Sequence, residues 1–130
     1  MAKSILVIDD EPVIVEISKR KLQNEGYTVQ TAGNGEEALE VLKTFKPDLI
    51  LLDIQMPKMN GYTFMMEKVK DPELVGIPVI VLTAYNEMEP IFRRHRIKAY
   101  ILKPLKLQDL IAKVIETIGP GDKPQQPSST

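Results

Sequence analysis

The chain has no cysteine and no tryptophan, and aromatic residues make up 5% of its 130 residues. Without cysteine, disulfides, thiolate catalysis and thiolate metal sites are excluded. Its 17 basic residues nearly balance its 18 acidic ones, which gives no general attraction to nucleic acid or to an acidic membrane. No apolar run approaches the roughly 20 residues of a spanning helix, and Met1 leads into a strand without the parts of a signal peptide. We therefore expect a cytoplasmic protein with one core and no membrane contact.

Short apolar runs alternate with amphipathic stretches along most of the chain. Such runs, flanked by turn residues, indicate strands, whereas apolar residues every three or four positions indicate helices. Strict alternation of the two is typical of a parallel sheet with helices on both faces. Pro90 makes the fourth helix the least regular one. The predicted strands cover 4–8, 27–31, 48–53, 78–82 and 99–102, and the predicted helices cover 12–25, 34–46, 62–70, 87–96 and 107–118.

Three local signals support the first two helices. Pro12 suits the first turn of the first helix, and Gly26 suits the position just after its end. Asn34, followed by Glu37, resembles a capping box at the start of the second helix. The residues expected to face inward from the first helix are Val13, Ile14, Ile17 and Leu22, and those from the second are Ala38, Leu39, Leu42 and Phe45.

Polar residues follow the ends of four predicted strands. Because the carboxyl ends of parallel strands share one edge of the sheet, these residues are expected to converge there. The second strand contributes nothing obvious and is predicted to be an outer strand. The converging residues are Asp9 and Asp10 after the first strand, Asp53 at the end of the third, Thr83 after the fourth and Lys103 after the fifth.

Three carboxylates in one cleft repel each other, by about 4 kcal/mol for two charges about 4 Å apart at an effective dielectric constant near 20. Either one carboxyl group is protonated or a cation neutralises the cluster. Oxygen ligands without His or Cys favour Mg²⁺, Mn²⁺ or Ca²⁺ over zinc, and Mg²⁺ readily shares phosphate oxygens. Lys103 supplies a charge and Thr83 a hydroxyl for a phosphate, so Asp53 is predicted to be the nucleophile that becomes an aspartyl phosphate.

Over residues 3–118 the chain resembles the receiver domain of bacterial two-component response regulators, of the chemotaxis-regulator type. The resemblance implies an α/β fold: a doubly wound, five-stranded parallel sheet of flavodoxin-like order 2-1-3-4-5 with helices on both faces. Residues 1–119 would form this domain, and 120–130 a disordered tail or linker stub. The motifs that carry the resemblance are Asp9-Asp10, Asp53 with Met56-Pro57 and Gly61, Thr83-Ala84 and Lys103-Pro104.

By this resemblance, Asp53 takes a phosphoryl group from a sensor histidine kinase or a histidine phosphotransfer protein. Mg²⁺, for which Mn²⁺ can substitute, would be bound directly by Asp10, Asp53 and the backbone carbonyl of Gln55, with Asp9 acting through water. Thr83 and Lys103 would hold the phosphoryl oxygens.

The resemblance also implies a switch. Tyr100 matches an aromatic residue that turns inward when Thr83 moves toward the phosphate, and Gln55 and Tyr85 occupy positions that modulate the lifetime of the phosphate. The face formed by the predicted fourth helix, fifth strand and fifth helix would then engage an unknown downstream protein or output domain. A homodimer that forms on phosphorylation is left open, and direct nucleic-acid binding is not expected.

Two departures from the family pattern concern the predicted fourth helix. The segment 95–99, with the single histidine His95, replaces the usual small-residue turn before the switch aromatic. The stretch from Thr83 to Tyr100 is also slightly short.

Other functions fit the same residues less well. A Mg²⁺-dependent phosphatase of the haloacid dehalogenase type needs a second aspartate two positions after the nucleophile, where this chain has Gln55. A flavodoxin-like nucleotide or flavin binder needs a Gly-rich or Ser/Thr-rich phosphate loop, which is absent. Asp9 and Asp10 could also be simple acids at a helix start. We expect a phosphorylation switch and no enzyme beyond self-directed phosphotransfer and autodephosphorylation.

Overall fold

The protein is described from a computed structural model, which covers residues 3–53, 61–83, 97–102 and 106–121; for Gly61, Tyr62, Thr83 and 97–102 it describes the backbone alone. Five parallel strands form one sheet in the order β2-β1-β3-β4-β5. The predicted order is therefore confirmed, with β2 at an edge. The strands are β1 (Ser4–Ile8), β2 (Thr28–Ala32), β3 (Leu49–Asp53), β4 (Val79–Thr83) and β5 (Ile97–Leu102).

Four helices lie among the described residues: α1 (Pro12–Asn24), α2 (Gly35–Val41), α3 (Gly61–Lys70) and α4 (Leu107–Ile118). α4 is the helix predicted as the fifth, and Gly119, with φ +85°, ends it as expected. The helix predicted over 87–96, together with His95 and the turn that contains it, lies outside the described residues. The tail from 122 to 130 also lies outside them, so the predicted domain boundary at 119 stays a prediction.

β3 is the centre of the core, because all five of its residues are buried. Successive side chains of a strand point to opposite faces, so this continuous apolar run feeds two separate hydrophobic clusters. Leu49 and Leu51 belong to the cluster that includes Leu22 of α1 and Leu110 of α4. Ile50 and Leu52 belong to the cluster that includes Ala38 of α2 and Phe64 of α3. The prediction of helices on both faces is confirmed.

The predicted inward face of α1 is wrong for half of its residues. Val13 is 68% exposed and Ile17 is 44% exposed, whereas Ser18 and Leu22 are buried and Ile14 is half-buried. Positions 14, 18 and 22 are four residues apart and therefore lie on one side of the helix. The helix is rotated so that Ser18 is buried, whereas Val13 and Ile17 are exposed. The apolar character of its residues therefore did not predict which side of α1 is buried.

α2 has the predicted cap but ends earlier than predicted. The Asn34 side chain accepts a hydrogen bond from the Glu37 amide at 2.9 Å, which confirms the N-cap. Regular helix stops at Val41, because the amides of Lys43 and Thr44 bond to carbonyls three residues back and tighten the last turn. The predicted inward face is confirmed all the same, since Ala38 and Leu42 are buried and Leu39 and Phe45 pack against the same cluster.

Asp48 belongs to the amino-terminal edge of the sheet, at the opposite end of β3 from Asp53. Its carboxylate accepts the Ser4 amide at 2.8 Å and so ties the start of β1 to the start of β3. This contact gives Asp48 a structural role away from the strand ends that were predicted to form a site.

Candidate functional site

Asp9 is held by two backbone contacts. It is 1% exposed and directly follows β1. Its amide donates to the carbonyl of Ala32 at 3.1 Å, which extends the pairing with β2 by one residue. Its Oδ1 accepts the amide of Glu11 at 3.0 Å, at the turn into α1. β2, from which the sequence predicted no contribution, therefore fixes the backbone that carries this carboxylate.

Asp53 is the last residue of β3 and is 2% exposed. The register explains its place beside Asp9: Leu52 pairs with Ile8, so the residue after each of them lies at the same level of the sheet. On its other side, Asp53 pairs with Leu82 of β4. Sheet geometry alone therefore brings two distant, buried aspartates to one edge.

Four carboxylates meet at this edge. One oxygen from each of Asp9, Asp10, Glu11 and Asp53 lies within 4.8 Å of the others. Asp9 and Asp53 are buried, whereas Asp10 and Glu11 are exposed. We call these four residues the acidic cluster. Their convergence agrees with the sequence prediction, although the metal and phosphoryl roles assigned to them are not tested by geometry alone.

Glu11 is the member that sequence reasoning missed. It is the N-cap residue of α1, yet its side chain makes no capping hydrogen bond. The signal was available, because Glu11 continues the acidic run that Asp9 and Asp10 begin.

The donor chemistry of the acidic cluster fits a hard divalent cation. Carboxylate oxygens are the preferred ligands of Mg²⁺, and neither histidine nor cysteine is present in the cluster to favour zinc. A cation would also reduce the repulsion among negative groups this close together. The residues at the site thus fit Mg²⁺.

Two further predicted residues lie in β4 and β5, and the structure describes their backbone. Thr83 is the last residue of β4 and pairs with Leu102, the last residue of β5. Tyr100 lies in β5 opposite Val81. Gln55, Tyr85 and Lys103 lie outside the described residues. The roles predicted for all five residues stay predictions.

A family model for the response regulator receiver domain matches residues 5–115. The chain belongs to this family. Receiver domains of response regulators are phospho-accepting signalling switches and not classical enzymes, so the predicted class of function is confirmed. Nothing in the comparisons supports the haloacid dehalogenase alternative.

Curated relatives agree with this assignment. The probable transcriptional regulator ycf27 of Pyropia yezoensis is 38% identical over 123 residues, which is 93% of this chain and 49% of the relative. The DNA-binding response regulator MtrA of Mycolicibacterium smegmatis is 34% identical over 116 residues, 88% of this chain and 50% of the relative. The receiver therefore spans about half the length of the curated relatives it matches. MtrA, which is about twice as long as this chain, is named as DNA-binding. The expectation that these 130 residues do not bind nucleic acid therefore stays a prediction.

Solved structures show the same fold. A CheY-like receiver domain protein from Methanospirillum hungatei is 31% identical, with a TM-score of 0.80 over 89% of this chain and 93% of the other. The response regulator TrrA from Thermotoga maritima, solved in complex with Mg²⁺-BeF, is 38% identical, with a TM-score of 0.77 over 89% of this chain and 99% of the other.

None of the helices in the described ranges has the length and apolar character needed to cross a bilayer.

Proposed function

We propose that this receiver accepts a phosphoryl group on Asp53. The observation that carries the proposal is the position of this carboxylate, which is 2% exposed at the carboxyl end of the central strand and within 4.8 Å of three other acids. Phosphate would come from a phosphohistidine of a sensor histidine kinase or phosphotransfer protein. An oxygen of Asp53 forms the new bond to phosphorus, the phosphorus–nitrogen bond breaks, and the imidazole that leaves takes up a proton.

Mg²⁺, or Mn²⁺ in its place, is the cofactor we propose for this site. Asp10 and Asp53 would bind it directly together with the carbonyl of Gln55, and Asp9 would act through water. When bound, the cation offsets negative charge on the acids and on the phosphoryl group. The contact of the Asp9 amide with Ala32 fixes its backbone, and the Glu11 amide holds one oxygen of its carboxylate.

A switch would couple phosphorylation of Asp53 to the downstream partner. Thr83 and Lys103 would hold the phosphoryl oxygens, and Tyr100 would change position with Thr83. Gln55 and Tyr85 would set the lifetime of the aspartyl phosphate, which the receiver itself hydrolyses. The changed face would be formed by the predicted helix over 87–96, β5 and α4, and would engage a downstream protein or output domain, or a second copy of the chain. A cytoplasmic location belongs to the same proposal.

Acetyl phosphate provides a direct test, because it supplies phosphate without a kinase. With Mg²⁺ present, the intact mass of the receiver should increase by one phosphoryl group, and the product should be stable in acid and labile in base. Chelation of the metal with EDTA should prevent the increase. No change in mass at any concentration of donor, in a folded receiver that contains Mg²⁺, would contradict the proposal.

Replacement of Asp10 by asparagine tests the metal assignment separately. At a concentration 100 times its Kd, Mg²⁺ should stabilise the wild-type receiver by about 2.7 kcal/mol, because it binds the folded state alone. Asp10→Asn removes one charged oxygen ligand and should reduce the increase in Tm produced by the same concentration of Mg²⁺. The measurement is thermal melting with and without Mg²⁺.

Asp109→Asn is the matched control for this measurement, because Asp109 is likewise exposed but lies in the first turn of α4, outside the acidic cluster. The control should keep the full response to Mg²⁺. Equal responses of the two variants would remove Asp10 from the metal site.

A further inference from the structure

The last described residues of the chain lie at the amino-terminal ends of the strands, opposite the end that holds the acidic cluster. The Tyr27 hydroxyl donates to the carbonyl of Gly119 at 2.6 Å, although 92 residues separate the two. The Lys3 ammonium donates to the carbonyl of Pro120 at 3.4 Å. Both donors stand immediately before strands, Lys3 before β1 and Tyr27 before β2. We call Lys3, Tyr27 and residues 119–121 the carboxyl-terminal clasp.

Gly121 completes the clasp through close backbone contact. A Cβ atom at this position would lie 2.8 Å from the carbonyl carbon of Gly26 and even nearer to the carbonyl oxygen of Glu25. Real Cβ atoms essentially never approach backbone this closely, so the segment could not stay where it is with any larger residue. Glycine is therefore required here for contact, in addition to Gly119, where φ is +85°.

The Tyr27 hydroxyl, which makes the shortest of these contacts, is protonated and can donate a hydrogen bond. Tyr27 is 4% exposed and belongs to the core cluster of α1 and α4. Burial, followed by the nearby Glu25 carboxylate, raises the pKa of its hydroxyl above the ordinary value of 10.0. The proton therefore remains on the oxygen throughout the neutral range.

We infer that the carboxyl-terminal clasp fixes the position of residues 119–121 and keeps that position unchanged when the receiver is phosphorylated. Lys3 and Tyr27 lie at the same level of the sheet, because the residues that follow them are paired. Lys3 comes six residues before Asp9, which lies at the same level as Asp53. At about 3.3 Å per residue this places the clasp roughly 20 Å along the strands from the acidic cluster. Residues beyond Gly121 would start from a fixed anchor remote from the phosphorylation site.

Hydrogen exchange tests the clasp without any phosphodonor. The Gly119 amide bonds to the carbonyl of Ile115 at 2.8 Å and reports on the last turn of α4. Tyr27→Phe keeps the buried ring but removes the donor, and loss of one hydrogen bond should speed exchange of this amide roughly fivefold to tenfold. Gly121→Ala should act on the same amide, and the two effects should not multiply in the double variant.

Gly76→Ala is the control for the glycine, because a Cβ there would meet nothing within 4 Å. It should leave the Gly119 amide unchanged. Far-UV circular dichroism establishes that each variant is folded. Exchange within a factor of two of wild type in both Tyr27→Phe and Gly121→Ala would overturn the inference.

A second measurement addresses phosphorylation, and this arm alone rests on the proposed function. In the phosphorylated receiver, the amide NMR signals of Gly119 and Gly121 should coincide with those of the free receiver, while signals around Asp53 shift. Movement of the two glycine signals would overturn the claim that residues 119–121 keep a fixed position, even if the exchange data support the clasp. If no phosphoryl group is accepted, the proposed function is contradicted, and the clasp is still tested by the exchange experiment, which uses no phosphodonor.

Discussion

Asp53→Asn is expected to abolish phosphorylation by acetyl phosphate. Asparagine has nearly the same shape as aspartate and is neutral, so the fold and the end of β3 should survive. The amide oxygen is a far weaker nucleophile than a carboxylate and cannot form a stable acyl phosphate under these conditions. Intact-mass spectrometry should therefore show no phosphorylated species, where the wild-type receiver gains one phosphoryl group.

The matched control is Asp48→Asn, at the other end of the same strand. Asp48 accepts the Ser4 amide through its side chain, a contact that an asparagine oxygen can also make. This variant should be phosphorylated like the wild type. Loss of phosphorylation in both variants would point to a general effect on the strand instead of a specific acceptor.

The acidic cluster makes the Asp53 experiment demanding, because other carboxylates lie close by. Asp10 and Glu11 are exposed and have an oxygen within 4.8 Å of Asp53. A phosphoryl group that persists in Asp53→Asn and maps to either of these residues would show that the acceptor is wrongly assigned. Peptide mapping under acidic conditions, where acyl phosphates survive longest, distinguishes these outcomes.

The position of Asp9 and Asp53 at one end of the sheet could be predicted because it depends on the topology of the strands. A buried apolar run that ends in aspartate, and another that ends beside two aspartates, must meet if both strands are central and parallel. The observed register between Ile8 and Leu52 confirms this for Asp9 and Asp53. Such convergence needs no knowledge of side-chain packing, and for that reason it could be predicted without a structure.

Predictions that depended on packing were less successful. On α1, two exposed apolar residues, Val13 and Ile17, were predicted to face the core, whereas the buried residue between them and Leu22 is Ser18. A rotation of the helix by one position produces this exchange, and hydrophobicity alone does not fix the rotation. The early end of α2 depends likewise on local hydrogen bonds of Lys43 and Thr44, which carry no clear sequence signal.

Phe64→Ala is expected to have the largest effect on stability. Phe64 lies in α3, is fully buried and ranks among the largest such side chains of the described chain. It belongs to the cluster that contains Ile8 and Leu52, the last apolar residues before Asp9 and Asp53. Truncation of a buried phenylalanine removes apolar burial and leaves a cavity, which together cost about 3–5 kcal/mol. Denaturant unfolding should show this loss as a lower midpoint at an unchanged slope.

Met66→Ala provides the control on the same helix. Met66 is 42% exposed, and substitutions at such positions usually change stability by less than about 0.5 kcal/mol. If Phe64→Ala leaves too little folded protein to measure, Phe64→Leu retains most of the apolar volume and should show a smaller loss in the same direction. A midpoint for Phe64→Ala or Phe64→Leu equal to that of Met66→Ala would contradict the assignment of α3 to this face of the sheet.

The two expected results also separate folding from chemistry. Asp53→Asn should remove the phosphoryl acceptor from a receiver that still folds, whereas Phe64→Leu should keep the acceptor in a less stable receiver. Because Phe64 supports the strands without belonging to the acidic cluster, Phe64→Leu should still be phosphorylated by acetyl phosphate at a temperature below its melting transition. A folded Phe64→Leu receiver that accepts no phosphate would show that packing on this face also controls the geometry at the ends of β1 and β3.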